Sequence, residues 1–132
     1  MTEKLDHLFI EPSDFDKTLK FYSEVLGWQV TDDSGSARLA SLRSPGGTTL
    51  VIAEHHEDNF DHAKTLGHNG SRPTLHFRVD DVDSLFAGMP KGPHIAFPPE
   101  DTHWGTRWFV VRDPDGNLFA FESKATGSLT AR

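Results

Sequence analysis

The chain has 132 residues, enough for one domain with a real core and too few for two independent ones. Its formal net charge of −7, with no cluster among its 13 Lys and Arg, argues against a nucleic-acid-binding surface, because neutralising phosphates needs gathered cations. With no cysteine there is no disulfide, thiolate metal site or cysteine nucleophile, so any metal would need His, Asp or Glu ligands.

No apolar run approaches the roughly 20 residues of a membrane-spanning helix. The opening segment lacks both the apolar core of a secretory signal and the bias of a transit peptide, so a soluble, cytoplasmic protein is expected. Residues 5–11 read as an apolar strand. After Pro12 and Ser13, the residues Phe15, Leu19, Tyr22 and Leu26 recur at helical spacing. Ser13 is placed to cap that helix, Asp16 completes a weak capping box, and Gly27 stands where a left-handed C-terminal residue belongs. Residues 28–31, 37–42 and 48–53 then read as three short strands, separated by turn chemistry at Ser34-Gly35 and Ser44-Pro45-Gly46-Gly47.

A polar linker at about 55–72 carries His55, His56, His62 and His68 among acidic and amide residues, without strand or helix spacing. It reads as a solvated connection that could also cover a cleft. The pattern then restarts: a strand at 73–79, a shorter helix at 80–89, and strands at 94–97, 106–112 and 117–122. Asp113-Pro114-Asp115-Gly116 forms the last turn, and a loose tail occupies 123–132. Arg38, Arg43, Pro45 and Gly47 recur as Arg107, Arg112, Pro114 and Gly116 at an offset of 69. Leu8 and Asp14 recur as Leu75 and Asp81 at an offset of 67. The expected architecture is therefore α+β: two βαβββ modules, about 5–54 and 73–122, whose curved mixed sheets surround a cleft within a single domain. Concave surfaces of this kind are where small ligands bind.

Three segments carry a resemblance to a known family. They are Leu5-Asp6-His7 leading to Phe21-Tyr22-Ser23-Glu24-Val25-Leu26-Gly27, then His76-Phe77-Arg78-Val79-Asp80-Asp81, and Trp104 to Leu118 with Asp113-Pro114-Asp115-Gly116-Asn117. Together they resemble the vicinal oxygen chelate superfamily of glyoxalases, bleomycin-resistance proteins and extradiol dioxygenases. That resemblance implies a homodimer, and a metal, where one is used, held by His and Glu on the first and last strands of each module. His7 occupies one such place. The other three fall on Thr74, Ala120 and Val51, while His76 and Glu122 each stand two residues further along.

A shift of two keeps a side chain on its face of the strand but moves it about 7 Å. His76 and Glu122 are thus expected to stay together as a displaced pair, one pleat away from His7. A divalent ion such as Zn, Ni, Fe or Mn on His7, His76 and Glu122 would serve a lyase, isomerase or dioxygenase, and the mismatch counts against it. A metal-free His76–Glu122 hydrogen bond could orient a ligand or serve as a base, and its plainer reading is a structural cross-strand pair. The loop before the last hairpin, with Trp104, Arg107 and Trp108, resembles the bleomycin-resistance branch, in which a drug is bound without metal. Aromatic faces beside a guanidinium and carboxylates suit planar, cationic or conjugated ligands, though these tryptophans could simply close the core. Trp28 is expected in the core. The favoured expectation is a small-molecule binder with no cofactor, whose site draws on Trp104, Arg107, Trp108, His76 and Glu122.

Overall fold

The computed structural model describes residues 5–54 and 74–125. The linker with His55, His56, His62 and His68, the residue Pro73 and the end of the tail lie outside the described residues. The chain divides into two compact units, Met1–Gly70 and Ser71–Arg132.

Unit one begins with β1 (Leu8–Ile10), shorter than the apolar run that announces it, and continues into α1 (Phe15–Lys20). Asp14 caps α1, not Ser13: its carboxylate accepts from the Lys17 amide at 3.0 Å, satisfying one of the donors that every helix start leaves open. Beyond Lys20 the helix widens into a π turn, Phe21–Val25, in which the Leu26 amide bonds back to the Phe21 carbonyl. The Ser23 hydroxyl donates to the Leu19 carbonyl at 2.8 Å, the i−4 acceptor that an ordinary helical amide would use, which suits a local shift of the ladder. Gly27, at φ +72°, ends the helix as expected, since a side chain is strained there.

The strands β2 (Gln29–Asp33), β3 (Leu39–Arg43) and β4 (Thr49–Ala53) complete a four-stranded sheet of order β1-β4-β3-β2, in which only β1 and β4 run parallel. Period-two alternation puts Ala40, Leu42, Leu50 and Ile52 on one face, all fully buried, and Tyr22, Phe15 and Trp28 are buried in the same unit. Each fully buried side chain of this size contributes roughly 1.5–3 kcal/mol of transfer free energy.

Thr18, buried on α1, has a hydroxyl with no hydrogen-bond partner among the described residues. Thr18→Val replaces that hydroxyl with a methyl of similar volume. It is expected to raise stability by about 1 kcal/mol, measurable as a higher urea midpoint at unchanged m-value.

Unit two repeats the plan: β5 (Leu75–Arg78), α2 (Val82–Ala87), β6 (Ile95–Asp101), β7 (Thr106–Arg112) and β8 (Leu118–Lys124), in the order β5-β8-β7-β6 with β5 and β8 parallel. The register repeats as well. Phe9 opposite Val51 becomes His76 opposite Ala120, and Leu42 opposite Leu50 becomes Val111 opposite Phe119. Odd-numbered residues of β7 and β8 face α2, as the 5.2 Å edge contact of Phe86 with Phe109 shows, and even-numbered residues face the other way.

Two of the departures from the sequence reading concern β6 and β8. β6 runs through Pro98 and Pro99, which had read as loop; it is an edge strand with irregular register between Phe97 and Glu100, where a missing N–H costs no ladder bond. β8 extends to Lys124, so Ser123 and Lys124 belong to the sheet rather than the tail.

Candidate functional site

The face of the second sheet away from α2 carries most of the residues with chemistry. His76 on β5 lies opposite Ala120 on β8, and Glu122, two residues further, lies opposite Trp108 on β7. This stagger brings the His76 Nδ1 within 2.5 Å of the Glu122 carboxylate. The second Glu122 oxygen accepts from the Thr106 hydroxyl at 2.8 Å and from the Trp104 indole N–H at 3.2 Å. A tight turn places that indole: Thr102 bonds across it to Thr106, and Gly105 adopts φ +94°, a value that disfavours any side chain.

Around this polar centre the rings are ordered. Trp108 stacks between Phe97, at 6.4 Å between centroids, and His76, at 5.9 Å, while Trp104 meets Trp108 edge-on at 5.2 Å. Such offset and edge arrangements match the quadrupoles of the rings. A pocket of about 350 Å³ opens here, lined by His76, Arg78, Trp104, Thr106 and Glu122 among others. Trp104 is 51% exposed and so does not close the core, whereas Trp28 is buried as expected.

In the neutral tautomer that carries its proton on Nδ1, the imidazole donates to the carboxylate and Nε2 is an acceptor. Burial pushes the Glu122 carboxyl up, but the hydrogen bonds from His76, Thr106 and Trp104 and the charge of the neighbouring imidazole outweigh it. The group therefore titrates below its ordinary value. A carboxyl depressed in the folded state contributes stability that is complete above its unfolded pKa and vanishes as the pH falls through its folded one. Wild-type protein should accordingly lose more stability than Glu122→Gln between about pH 5 and pH 3, compared by urea unfolding at each pH.

Of the residues singled out in the sequence, His76, Glu122, Trp104 and Trp108 come together. Arg107 does not join them: its odd position turns it to the α2 face, where it binds Asp83 at 3.0 Å and Asp101 at 3.2 Å. His7 belongs to unit one, 41% exposed, with its Nδ1 2.7 Å from Asp6. Thr106, Arg78 and Phe97 were missed, although two-residue alternation from His76 and Trp108 would have found the first two.

The donor set within unit two does not fit a metal. Both Glu122 oxygens are engaged by hydrogen-bond donors, Ala120 stands at one place the resemblance reserves for a ligand, and Thr74 at another. Among the described residues no group of three or more His, Asp or Glu gathers around a common point. In unit one the register equivalents of His76 and Glu122 are Phe9 and Ala53, so the polar pair has no counterpart there. No helix among the described residues is long and apolar enough to cross a membrane.

No curated protein matches the chain. Among solved structures it is similar to TioX from Micromonospora sp. ML1, with 24% identity and TM-score 0.62 over 91% of this chain and 99% of that one. A glyoxylase/bleomycin resistance protein/dioxygenase domain from Frankia sp. EAN1pec shares 19% identity at TM-score 0.66, with both chains fully covered. Virulence protein STM3117 from Salmonella typhimurium shares 23% at TM-score 0.60, over 95% of this chain and 99% of that one. At these identities the likeness concerns the fold. The family model for the Glyoxalase/Bleomycin resistance protein/Dioxygenase superfamily matches residues 4–121, and with the repeated βαβββ plan it leads to one conclusion: the chain belongs to that superfamily.

Proposed function

We propose that the protein binds a planar small molecule, without a metal ion, in the aromatic pocket of its second unit. The observation that carries this reading is the state of Glu122, whose two carboxylate oxygens are both engaged by His76, Thr106 and Trp104, so that the group braces the pocket wall. What remains for a ligand is the exposed ring of Trp104 for stacking and the Nε2 of His76 as a hydrogen-bond acceptor. A pocket of about 350 Å³ is near the lower end of those that hold drug-like molecules, which suits a ligand of two or three rings.

The test has two parts. Protein purified without an affinity tag is analysed for metals before and after dialysis against divalent ions, and 2-naphthol, a planar probe with one O–H donor, is titrated by calorimetry with and without chelator. Folded, metal-free protein whose 2-naphthol binding ignores the chelator is the expected result. About one metal per chain, lost on His76→Ala, would overturn the reading in favour of a metal-dependent lyase, isomerase or dioxygenase using His7, His76 and Glu122.

A further inference from the structure

We propose that this pocket selects planar aromatic ligands bearing an anionic group, and that Arg78 is the residue that reads the charge. The inference rests on the small-molecule reading above and adds the chemical class of the ligand. Arg78 follows His76 by two residues on β5, so it shares the face of the sheet on which the pocket opens, and it lines that pocket. Its strand partner is Glu122, the acid that an arginine in this position would ordinarily take. Both oxygens of Glu122 are already held by His76, Trp104 and Thr106, and the Arg78 side chain makes no ion pair or hydrogen bond with any described residue.

Lys124, two residues beyond Glu122 and opposite Thr106, is another cation on this side of the sheet, but it does not line the pocket. Arg107 holds Asp83 and Asp101, and Glu100 accepts from the Trp108 indole at 3.4 Å. The carboxylates that made a cationic ligand attractive in the sequence thus each hold a hydrogen-bond donor, and the cation that lines the pocket is the Arg78 guanidinium. A guanidinium presents several N–H donors in one plane, a fork that fits a carboxylate or sulfonate bidentately and stacks beside an aromatic ring. The net charge of −7 does not oppose this, because at physiological salt charges beyond about 8 Å are screened and the nearest cation decides.

Three probes of one shape separate the possibilities: 2-naphthoate, 2-naphthamide and 2-naphthylmethylammonium, each titrated by calorimetry at constant ionic strength into wild-type protein and Arg78→Gln. In wild type the naphthoate should bind about tenfold tighter than the amide, with the ammonium weakest. In Arg78→Gln the ratio of naphthoate to amide affinity should fall to about one. Arg78 is exposed, so the variant is expected to keep the wild-type melting temperature. A preference for the ammonium, or a naphthoate preference that survives Arg78→Gln, overturns the assignment while leaving the aromatic pocket standing. If neither the amide nor 2-naphthol binds, the small-molecule reading falls and this proposal with it.

Discussion

Replacing Glu122 by alanine is expected to weaken 2-naphthol binding by about tenfold to a hundredfold while the protein remains folded. The magnitude follows from what the carboxylate holds. It accepts from His76, Thr106 and Trp104, and hydrogen bonds to a charged group are worth roughly 1.5–3 kcal/mol each, net of the water they displace. Alanine releases all three donors at once. The Trp104 ring, already half exposed, loses its anchor, and the imidazole loses the partner that keeps its proton on Nδ1 and its Nε2 an acceptor. A ligand must then pay to order side chains that the native pocket presents in place.

Glu122→Gln separates the two contributions. Its amide oxygen can still accept from Trp104 and Thr106, but its NH₂ faces His76 and favours the tautomer with the proton on Nε2. An intermediate affinity is expected, with the tautomer change visible in the ring nitrogen shifts of His76. Unchanged 2-naphthol affinity in Glu122→Ala would mean that the polar group is only a cross-strand brace and that the ligand lies elsewhere.

Asp113→Ala should destabilise the protein by about 3 kcal/mol. Asp113 is 3% exposed at the turn between β7 and β8. One of its oxygens accepts from the amides of Asp115 and Asn117 at 2.9 and 2.8 Å, and the other from the Asn117 side chain at 2.8 Å. Removing an acceptor from part-buried donors costs more than the net worth of the bonds, because the donors keep part of their desolvation penalty. Asp113→Asn keeps the oxygen that serves the two amides, and its cost should fall to about 1 kcal/mol, read from urea unfolding at constant m-value. The turn also holds the register that sets Trp108 opposite Glu122. A destabilised Asp113→Ala protein should therefore bind 2-naphthol more weakly even where it is still folded.

The fold was largely legible because its signals are local or periodic. Apolar alternation, the glycine and proline turns and the offsets of 67 and 69 residues announced two copies of one unit, and the repeated register bears this out. The departures arise where a side chain competes with the backbone or where a strand's place in the sheet matters. Ser23 takes a carbonyl from the helix ladder, Asp14 rather than Ser13 has the extended backbone of a cap, and the prolines of β6 are tolerated because that strand is at the edge.

For the site, sequence parity alone placed His76 and Glu122 on one face and would have placed Arg78 and Thr106 beside them. It would also have sent Arg107 to the opposite face, away from Trp108. The hydrogen-bond state of Glu122 was decided only in the folded chain. Two of its partners, Trp104 and Thr106, come from the start of β7 and the turn before it, the third, His76, comes from the distant β5, and which donors reach a carboxylate depends on the stagger that the backbone ladders impose. That same tertiary bookkeeping paired Arg107 with Asp83 and Asp101 and left Arg78 on the pocket wall with no ion pair among the described residues, because a charge is paired by what lies near it in space.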